Sequence, residues 1–171
     1  SALVNLEGLE ALTSIESLTI FGSPLTSFDG LGNVGTIHGL SLSNLPRLTT
    51  LEGLEGTKPS QVFLQNMPVL VELGALGSTG AIENITLLGV NALTNVDAFL
   101  GVTGVNLLQA SQNAVLANLR GFGNVTAVRT LSIEQNPNLP SCEVDAIVSR
   151  IGAENIDAIH TSGNTGTGTC P

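Results

Sequence analysis

The chain of 171 residues has no Trp and no Tyr, and only 3% of its residues are aromatic although 42% are hydrophobic. Its core must therefore be built mainly from Leu, Ile, Val and Ala, which suits thin, regular coils. The chain is long enough to bury one sizeable core, and no linker rich in Pro, Ser or Gly divides it. We predict a single domain over residues 1–171.

Positive charge is scarce. The sequence has 5 Lys and Arg against 14 Asp and Glu, which gives a formal net charge of −9. Phosphate binding needs clustered cations, and the cations are scattered at Arg47, Lys58, Arg120, Arg129 and Arg150. The balance also argues against an anionic membrane surface. We predict no nucleic-acid partner, and we interpret the scattered acids as a source of solubility.

Long hydrophobic runs are missing too. No apolar run approaches the roughly 20 residues that span a bilayer, so we predict no direct membrane insertion. The chain lacks a signal segment headed by Lys or Arg and starts abruptly at Ser1. We therefore expect a mature or trimmed fragment of a parent protein.

Few side chains could support catalysis. His38 and His160 are the only imidazoles, and we expect both in turns or on the surface rather than beside a nucleophile. Cysteine and histidine do not occur at zinc spacing, and no segment resembles an acidic calcium loop. The Gly-rich stretch 163–168 has no following helix or Lys to form a phosphate cradle. We predict no enzymatic activity, no metal and no cofactor.

Leucine, in contrast, recurs at an almost constant spacing. The gaps between successive members of the series are 22, 23, 22, 23, 23 and 23 residues: Leu3, Leu25, Leu48, Leu70, Leu93, Leu116 and Leu139. Such a period is typical of solenoids, in which each coil buries its apolar side against its neighbours. The sequence predicts six repeats of 22–23 residues over 3–139.

Each repeat changes its apolar period partway along. The first coil shows a period of three and then of two: Leu3, Leu6, Leu9, Leu12, Ile15, Leu18 and Ile20. The period of two predicts a short strand, and stacked coils place these strands in a parallel sheet. The period of three predicts turns or 3₁₀ segments on the opposite wall. The fold class is therefore an α/β repeat solenoid with little helix outside a C-terminal cap.

Two other positions recur. Small residues precede the third apolar position, where we expect a larger side chain to collide with the neighbouring coil: Gly8, Gly30, Gly53, Ala75, Ala98 and Gly121. Asparagines follow most strands: Asn44, Asn66, Asn91, Asn113 and Asn136. Asn side chains can bond turn backbone, so we predict that these residues form a ladder inside the solenoid.

Residues 140–171 depart from the repeat and predict a cap over the last coil. Val144, Ile147, Val148 and Ile151 are spaced as one face of a short helix, which Ser141 could cap at its start and Gly152 at its end. A strand-like piece follows at 156–159.

Two cysteines, Cys142 and Cys170, bracket this cap. A disulfide between them would add roughly 3 kcal/mol in the chain-entropy model and would indicate an oxidising compartment. The alternative is two free thiols in a cytosolic protein.

The N-terminal end has no matching cap, because Leu3, Leu6 and Leu9 begin the repeat at once. The alternatives are an apolar end that is open, an end covered by an upstream domain of a parent protein, and an end paired in a homodimer.

The spacing LxxLxGLxxLxxIxxLxIxxx resembles a divergent leucine-rich repeat over residues 3–139. The 22-residue unit is similar to the repeats of internalin-type bacterial surface proteins. The recurring LxGL step and the cysteine-bracketed end resemble receptor L domains of cell-surface proteins. The resemblance implies an extracellular or cell-surface module for adhesion or recognition, with a protein, peptide or glycan ligand on the sheet face.

The strand alternation predicts which side chains form that face. The outward residues are Thr19, Phe21, Ser41, Ser43, Phe63, Gln65, Thr86, Leu88, Leu107, Gln109, Ser132 and Glu134. Phe21, Phe63, Leu88 and Leu107 could anchor a partner, because exposed apolar residues often mark interaction sites. An ordinary solvated sheet is the alternative.

Two other functions remain open. One is a structural or self-assembly unit that stacks through the N-terminal end. The other is an ice- or polysaccharide-binding solenoid, because hydroxyls align in most coils at Thr19, Ser41, Thr86 and Ser132. In our predicted alignment, Phe63 and Leu107 interrupt that hydroxyl row.

Overall fold

A computed structural model describes residues 3–170, so positions 1, 2 and 171 of the predicted domain lie outside the described residues. Parallel strands form one seven-stranded sheet in chain order. They are β1 (Ser14–Phe21), β2 (Thr36–Ser43), β3 (Gln61–Gln65), β4 (Thr79–Leu88), β5 (Gly101–Ser111), β6 (Ala127–Glu134) and β7 (Ala158–His160). The predicted repeat solenoid with a parallel sheet is confirmed.

The wall opposite the sheet consists of tight turns. The N–H of Leu9 donates to the carbonyl of Leu6 at 3.2 Å, and the N–H of Leu12 donates to the carbonyl of Leu9 at 2.9 Å. Short 3₁₀ helices occupy this wall in two later coils, at Asp97–Phe99 and Arg120–Phe122. These hydrogen bonds join residues three apart in the chain. They explain the apolar period of three, because each turn returns one side chain to the core.

The core runs the length of the solenoid as a stack of buried aliphatic side chains. Three phenylalanines join it with no exposed surface: Phe28, Phe99 and Phe122. The rings of Phe99 and Phe122 stack across adjacent coils with their centroids 5.5 Å apart. Aromatic residues are few, yet the described core uses these three to fill the wall opposite the sheet.

Coil-to-coil contact explains two of the recurring small residues. A Cβ added to Gly30 would lie 2.0 Å from the carbonyl oxygen of Leu6, and one added to Gly121 would lie 1.7 Å from that of Val96. Gly8 lies in the first coil, and a Cβ there would meet nothing within 4 Å. The predicted collision is therefore confirmed where a preceding coil lies against the glycine.

The strands end in a turn with left-handed backbone, at φ between 51° and 77°. The residues at this turn position are Gly22, Asn44, Asn66, Gly89, Gln112, Gln135 and Gly163. From Gly22 to Gln135, each backbone N–H at this position donates to a carbonyl of the next coil. Only Gly and a few polar residues tolerate such a backbone readily, which explains two of the asparagines.

The predicted asparagine ladder is wrong in its membership. Asn44 and Asn66 occupy the left-handed turn, and Asn91 is exposed. The interior ladder begins at Asn113, one residue beyond the turn position, and continues through Asn136 to Asn164. The asparagines that follow the strands therefore occupy three different backbone positions: the turn residue itself, the residue after it and the second residue after it. Only the geometry of the turn separates these positions.

The C-terminal cap contains the one α-helix of the described chain, α1 (Ser141–Ile151). Gly152 ends it as predicted, at φ 84°. The N-cap prediction is wrong, because Pro140 holds that position and Ser141 is already helical. The predicted strand at 156–159 is displaced, since β7 spans Ala158–His160. No helix among residues 3–170 is long and apolar enough to cross a membrane.

Contacts with the last coils hold the cap in place. The guanidinium of Arg150 donates to the carbonyls of Val125 and Phe122 at 3.0 and 2.9 Å. The carboxylate of Glu143 accepts from the N–H of Leu119 at 3.0 Å. The predicted disulfide between Cys142 and Cys170 is present, with the Cα atoms 5.9 Å apart. It ties α1 to the final residues of the chain.

Candidate functional site

The register of the sheet arranges the outward side chains in rows across the strands. The central row contains Thr19, Ser41, Phe63, Thr86, Gln109, Ser132 and His160. The end row, nearer the carboxyl ends of the strands, contains Phe21, Ser43, Gln65, Leu88, Ser111 and Glu134. Eleven of the twelve predicted face residues lie in these two rows, and the twelfth is Leu107.

The register expected for the fifth coil was wrong by two residues. Leu107 pairs with Asn84 and Thr130, which places it one row before the central row. Gln109 occupies the position in the central row that was expected for Leu107. Leu108 is fully buried, so the outward positions that follow it are Gln109 and Ser111. The apolar repeat already aligns Leu108 and Ala110 with the inward Leu18 and Ile20, so the error lay in the outward list alone. Gln109, rather than Leu107, interrupts the row of hydroxyls.

The predicted apolar anchors differ in exposure. Phe21, on the first strand, is 73% exposed, whereas Phe63, Leu88 and Leu107 are half-buried. A ligand crossing the face would therefore meet one prominent ring at the N-terminal edge and apolar side chains flush with the middle of the sheet.

The small hydroxyls of the face are less accessible than their positions suggest. Ser43, Thr86 and Ser132 are all at least nine-tenths buried. Thr86, for example, lies between Phe63 and Gln109 in the central row. Of the predicted hydroxyl row only Thr19 is exposed, so the side chains do not present a flat array of hydroxyls.

Charge on the face is confined to one end. Glu134 is the single ionisable side chain among the twelve predicted residues. Its carboxylate accepts from the hydroxyl of Ser162 at 2.8 Å and from that of Ser132 at 3.4 Å. The other eleven predicted residues are uncharged and offer hydroxyl, amide and apolar groups to a partner.

Within residues 3–170, no three His, Cys, Asp or Glu side chains lie close enough together to hold a metal ion. No family model, curated protein or solved structure matches this chain. The surfaces of the solenoid are therefore the evidence for its function.

A second surface lies at the carboxyl ends of β2, β3, β4 and β5 and was not predicted. It is a cleft of about 480 Å³, here called the amide cleft, lined by Asn44, Gln65, Asn66, Leu88, Gly89, Asn91 and Gln112. Five of these seven residues carry a side-chain amide, and none carries a charge. The sequence signal was a glycine, Gly89, at a turn position that holds an amide in the coils on either side.

The third notable surface is the N-terminal end. Leu3 is 47% exposed, and Leu9 and Leu12 are 39% exposed, whereas the matching residues of the second coil, Leu25, Leu31 and Val34, are buried. β1 is the first strand of the sheet, so one of its edges is unpaired within the described chain. This end combines free backbone groups with apolar surface.

Acidic residues surround this end. Glu7, Glu10 and Glu16 are exposed, and the first coil has no Lys or Arg. The backbone N–H of Gly8 donates to the carboxylate of Glu10 at 2.9 Å, and this hydrogen bond lowers the pKa of Glu10 from its ordinary value. The end is therefore negatively charged at neutral pH.

Proposed function

We propose that this protein is a non-catalytic recognition module of the cell surface or extracellular space, built as a divergent leucine-rich repeat. Its ligand is a protein, peptide or glycan that lies across the outward face of the sheet. The open and nearly uncharged face, with Phe63 and Leu88 at its middle, carries this proposal. Apolar side chains set among neutral polar groups are a common composition for a binding surface.

The disulfide supports the proposed compartment. Disulfides persist in secreted and surface proteins, whereas the cytosol keeps thiols reduced. The bond between Cys142 and Cys170 holds the cap that covers the last coil. Outside the cell this bond is not reduced, so it keeps the cap in place over the last coil.

Paired substitutions test the face. Ser41→Arg combined with Gln109→Arg places two long cations in the central row, on β2 and β5. The matched control is Thr49→Arg with Thr94→Arg, at exposed positions outside the strands. Wild-type protein is screened against a displayed library of random peptides and a panel of immobilised neutral glycans.

We expect the wild type to select a ligand, the control to retain it, and the face variant to bind at least tenfold more weakly. The proposal fails if neither probe set yields a ligand, or if both arginine pairs weaken binding equally. Unchanged circular dichroism in both variants excludes loss of fold as the cause.

A second candidate function is assembly through the N-terminal end. The exposed Leu9 and Leu12 favour it, because burial in a dimer would remove their apolar surface from water. The acids around this end oppose a symmetric contact, so association should strengthen as salt screens them. Sedimentation equilibrium over a range of concentration and salt measures both effects.

Leu9→Ser with Leu12→Ser should abolish any self-association, whereas Val71→Ser, an exposed apolar position on the side of the solenoid, should not. A wild type that stays monomeric at all salt concentrations would remove assembly as a function.

A further inference from the structure

We propose that the amide cleft is a binding site for a neutral saccharide. This inference deepens the proposed recognition function and rests on it, but it places the ligand at the carboxyl ends of β2–β5 rather than on the central row. Residues of four successive coils form the cleft, and it arises from one interruption in an otherwise repeated side-chain pattern.

Amides at the left-handed turn position bond from coil to coil. The amide of Asn66 donates to that of Asn44, and the amide of Gln112 donates to that of Gln135 at 3.1 Å. Gly89 lies between these two pairs, where the ladder has no side chain. Adjacent strands are about 4.8 Å apart, so the gap between the Asn66 and Gln112 backbones is about 10 Å.

The gap exposes hydrogen-bonding groups that the chain itself does not use. Within residues 3–170, no donor bonds the Oδ1 of Asn66 or the Oε1 of Gln112, and the amide of Gln65 has no partner. Asn91 accepts from the N–H of Ala114 at 3.4 Å, which leaves its amide hydrogens free. The cleft therefore offers both donors and acceptors.

The chemistry of these groups selects a neutral polyhydroxyl ligand. A sugar hydroxyl donates and accepts at once, so it can pair with an amide on each wall. An anionic or cationic ligand would find no opposite charge among the lining residues. Leu88 lines the cleft, is half-buried and supplies apolar surface for the C–H face of a sugar ring.

Space in the cleft is available without rearrangement. A Cβ added to Gly89 would come no nearer than 4.0 Å to Asn66. Ser111, next to Leu88 in the end row, has the one buried side-chain hydroxyl without a partner in the described chain. This edge of the sheet thus contains both an unfilled side-chain position and an unused polar group.

An extended peptide fits the cleft less well. Peptides that add to a sheet use free backbone groups, and here the N–H groups of Asn66, Gly89 and Gln112 already donate to the next coil at 2.8, 3.0 and 3.1 Å. Recognition must therefore proceed through side-chain amides, which favours a ligand whose own groups are hydroxyls.

Gly89→Asn tests the site by filling the gap. Asn occupies the same turn position at Asn44 and Asn66, with φ of 55° and 51° against 62° at Gly89, so the variant should fold. The matched control is Gly22→Asn, the equivalent turn in the first coil, where a Cβ meets nothing within 4 Å. The probes are dextran, mannan and galactan in affinity gel electrophoresis, followed by calorimetry with oligosaccharides of any polymer that retards the protein.

We expect at least one polymer to retard the wild type and Gly22→Asn, and Gly89→Asn to bind at least tenfold more weakly. Absence of retardation by all three polymers would overturn the saccharide assignment. Equal retardation of wild type and Gly89→Asn would place the sugar elsewhere. Binding of a neutral strand-forming peptide that Gly89→Asn alone abolishes would replace the saccharide with a peptide.

The same assay separates this site from the face proposed above. The Ser41→Arg and Gln109→Arg pair leaves every residue of the amide cleft unchanged. Sugar binding that survives this pair but not Gly89→Asn belongs to the cleft even if the face has no ligand. Sugar binding that the arginine pair removes and Gly89→Asn leaves intact belongs to the face, and it contradicts the cleft assignment.

Discussion

Replacing Asn136 by Ala should destabilise the C-terminal half of the solenoid. Asn136 is fully buried and bonds to three other residues. Its Oδ1 accepts from the backbone N–H and the amide of Asn113 at 3.0 and 3.2 Å. Its Nδ2 donates to the carbonyl of Ala110 at 2.9 Å and to the Oδ1 of Asn164 at 3.0 Å. The substitution removes all four hydrogen bonds.

The expected cost follows from what each bond leaves behind. The N–H of Asn113 loses its partner in the interior, and a buried orphan donor costs about 1–3 kcal/mol. The three remaining bonds contribute about 1 kcal/mol each. We therefore expect the free energy of unfolding to fall by about 4–6 kcal/mol, a large share of the roughly 5–15 kcal/mol typical of a folded domain.

Urea unfolding of the oxidised protein, followed by circular dichroism, measures the total effect. Coils of a solenoid can unfold separately, so hydrogen exchange of peptides from β2 and β5 locates it. The matched control is Asn138→Ala, whose side chain is exposed. Exchange should accelerate in β5 and stay unchanged in β2. A loss below about 1 kcal/mol, or one equal to that of Asn138→Ala, would refute the stabilising role of the ladder.

Three further outcomes are expected. Cys170→Ser opens a loop with a sequence separation of 28 and should cost about 3.5 kcal/mol in the chain-entropy model, with hydrogen exchange faster in α1 and unchanged in β1. Gly121→Ala should cost about 3 kcal/mol or more in thermal unfolding, because its Cβ would overlap the carbonyl of Val96, whereas Gly32→Ala, with no atom within 4 Å, should not. Phe21→Ser should shift the urea midpoint by less than the equivalent of about 0.5 kcal/mol, because the ring is already 73% exposed; a larger shift would show that the ring packs in solution.

The coil boundaries and the sheet could be predicted because inward positions repeat. Leu18 and Ile20 alternate with polar residues, and a side chain in the core has few replacements that fill the same volume. The same repeat aligns Leu108 with Leu18 and Ala110 with Ile20, so it also predicts the inward register of β5. The error lay in the outward list, which named Leu107 and Gln109 where this alignment places Gln109 and Ser111.

The asparagine positions show a different limit of prediction. Asn tolerates a left-handed turn and also satisfies buried backbone, so the letter alone does not separate Asn66 from Asn113. Their backbones do. Asn66 has φ of 51°, whereas at the interior ladder the left-handed residue is Gln112, one position earlier. Gln is uncommon with such a backbone, so a turn at Gln112 could not be expected from the residue type.

The interior position just after the turn divides the solenoid into two halves. Ser23 occupies it in the first coil, Leu45, Met67 and Val90 fill it in the next three, and asparagines fill it from Asn113 onward. Apolar side chains tolerate small shifts between coils, whereas an amide ladder must meet specific backbone groups and so fixes the register more strictly. The half that holds the disulfide-bonded cap is therefore also the half whose register is set by hydrogen bonds.

The amide cleft lies at the junction of these halves. Val90 is the last apolar residue at the interior position, and its backbone N–H donates to the Oδ1 of Asn113 at 2.9 Å. Gly89, immediately before it, is the turn residue that leaves the gap. A repeat constrains every coil alike at its inward positions, so a surface that distinguishes one ligand from another must come from a coil that departs from the pattern. Gly89 is such a departure. It lies at a turn position outside the repeated apolar positions, so the apolar pattern does not predict the cleft.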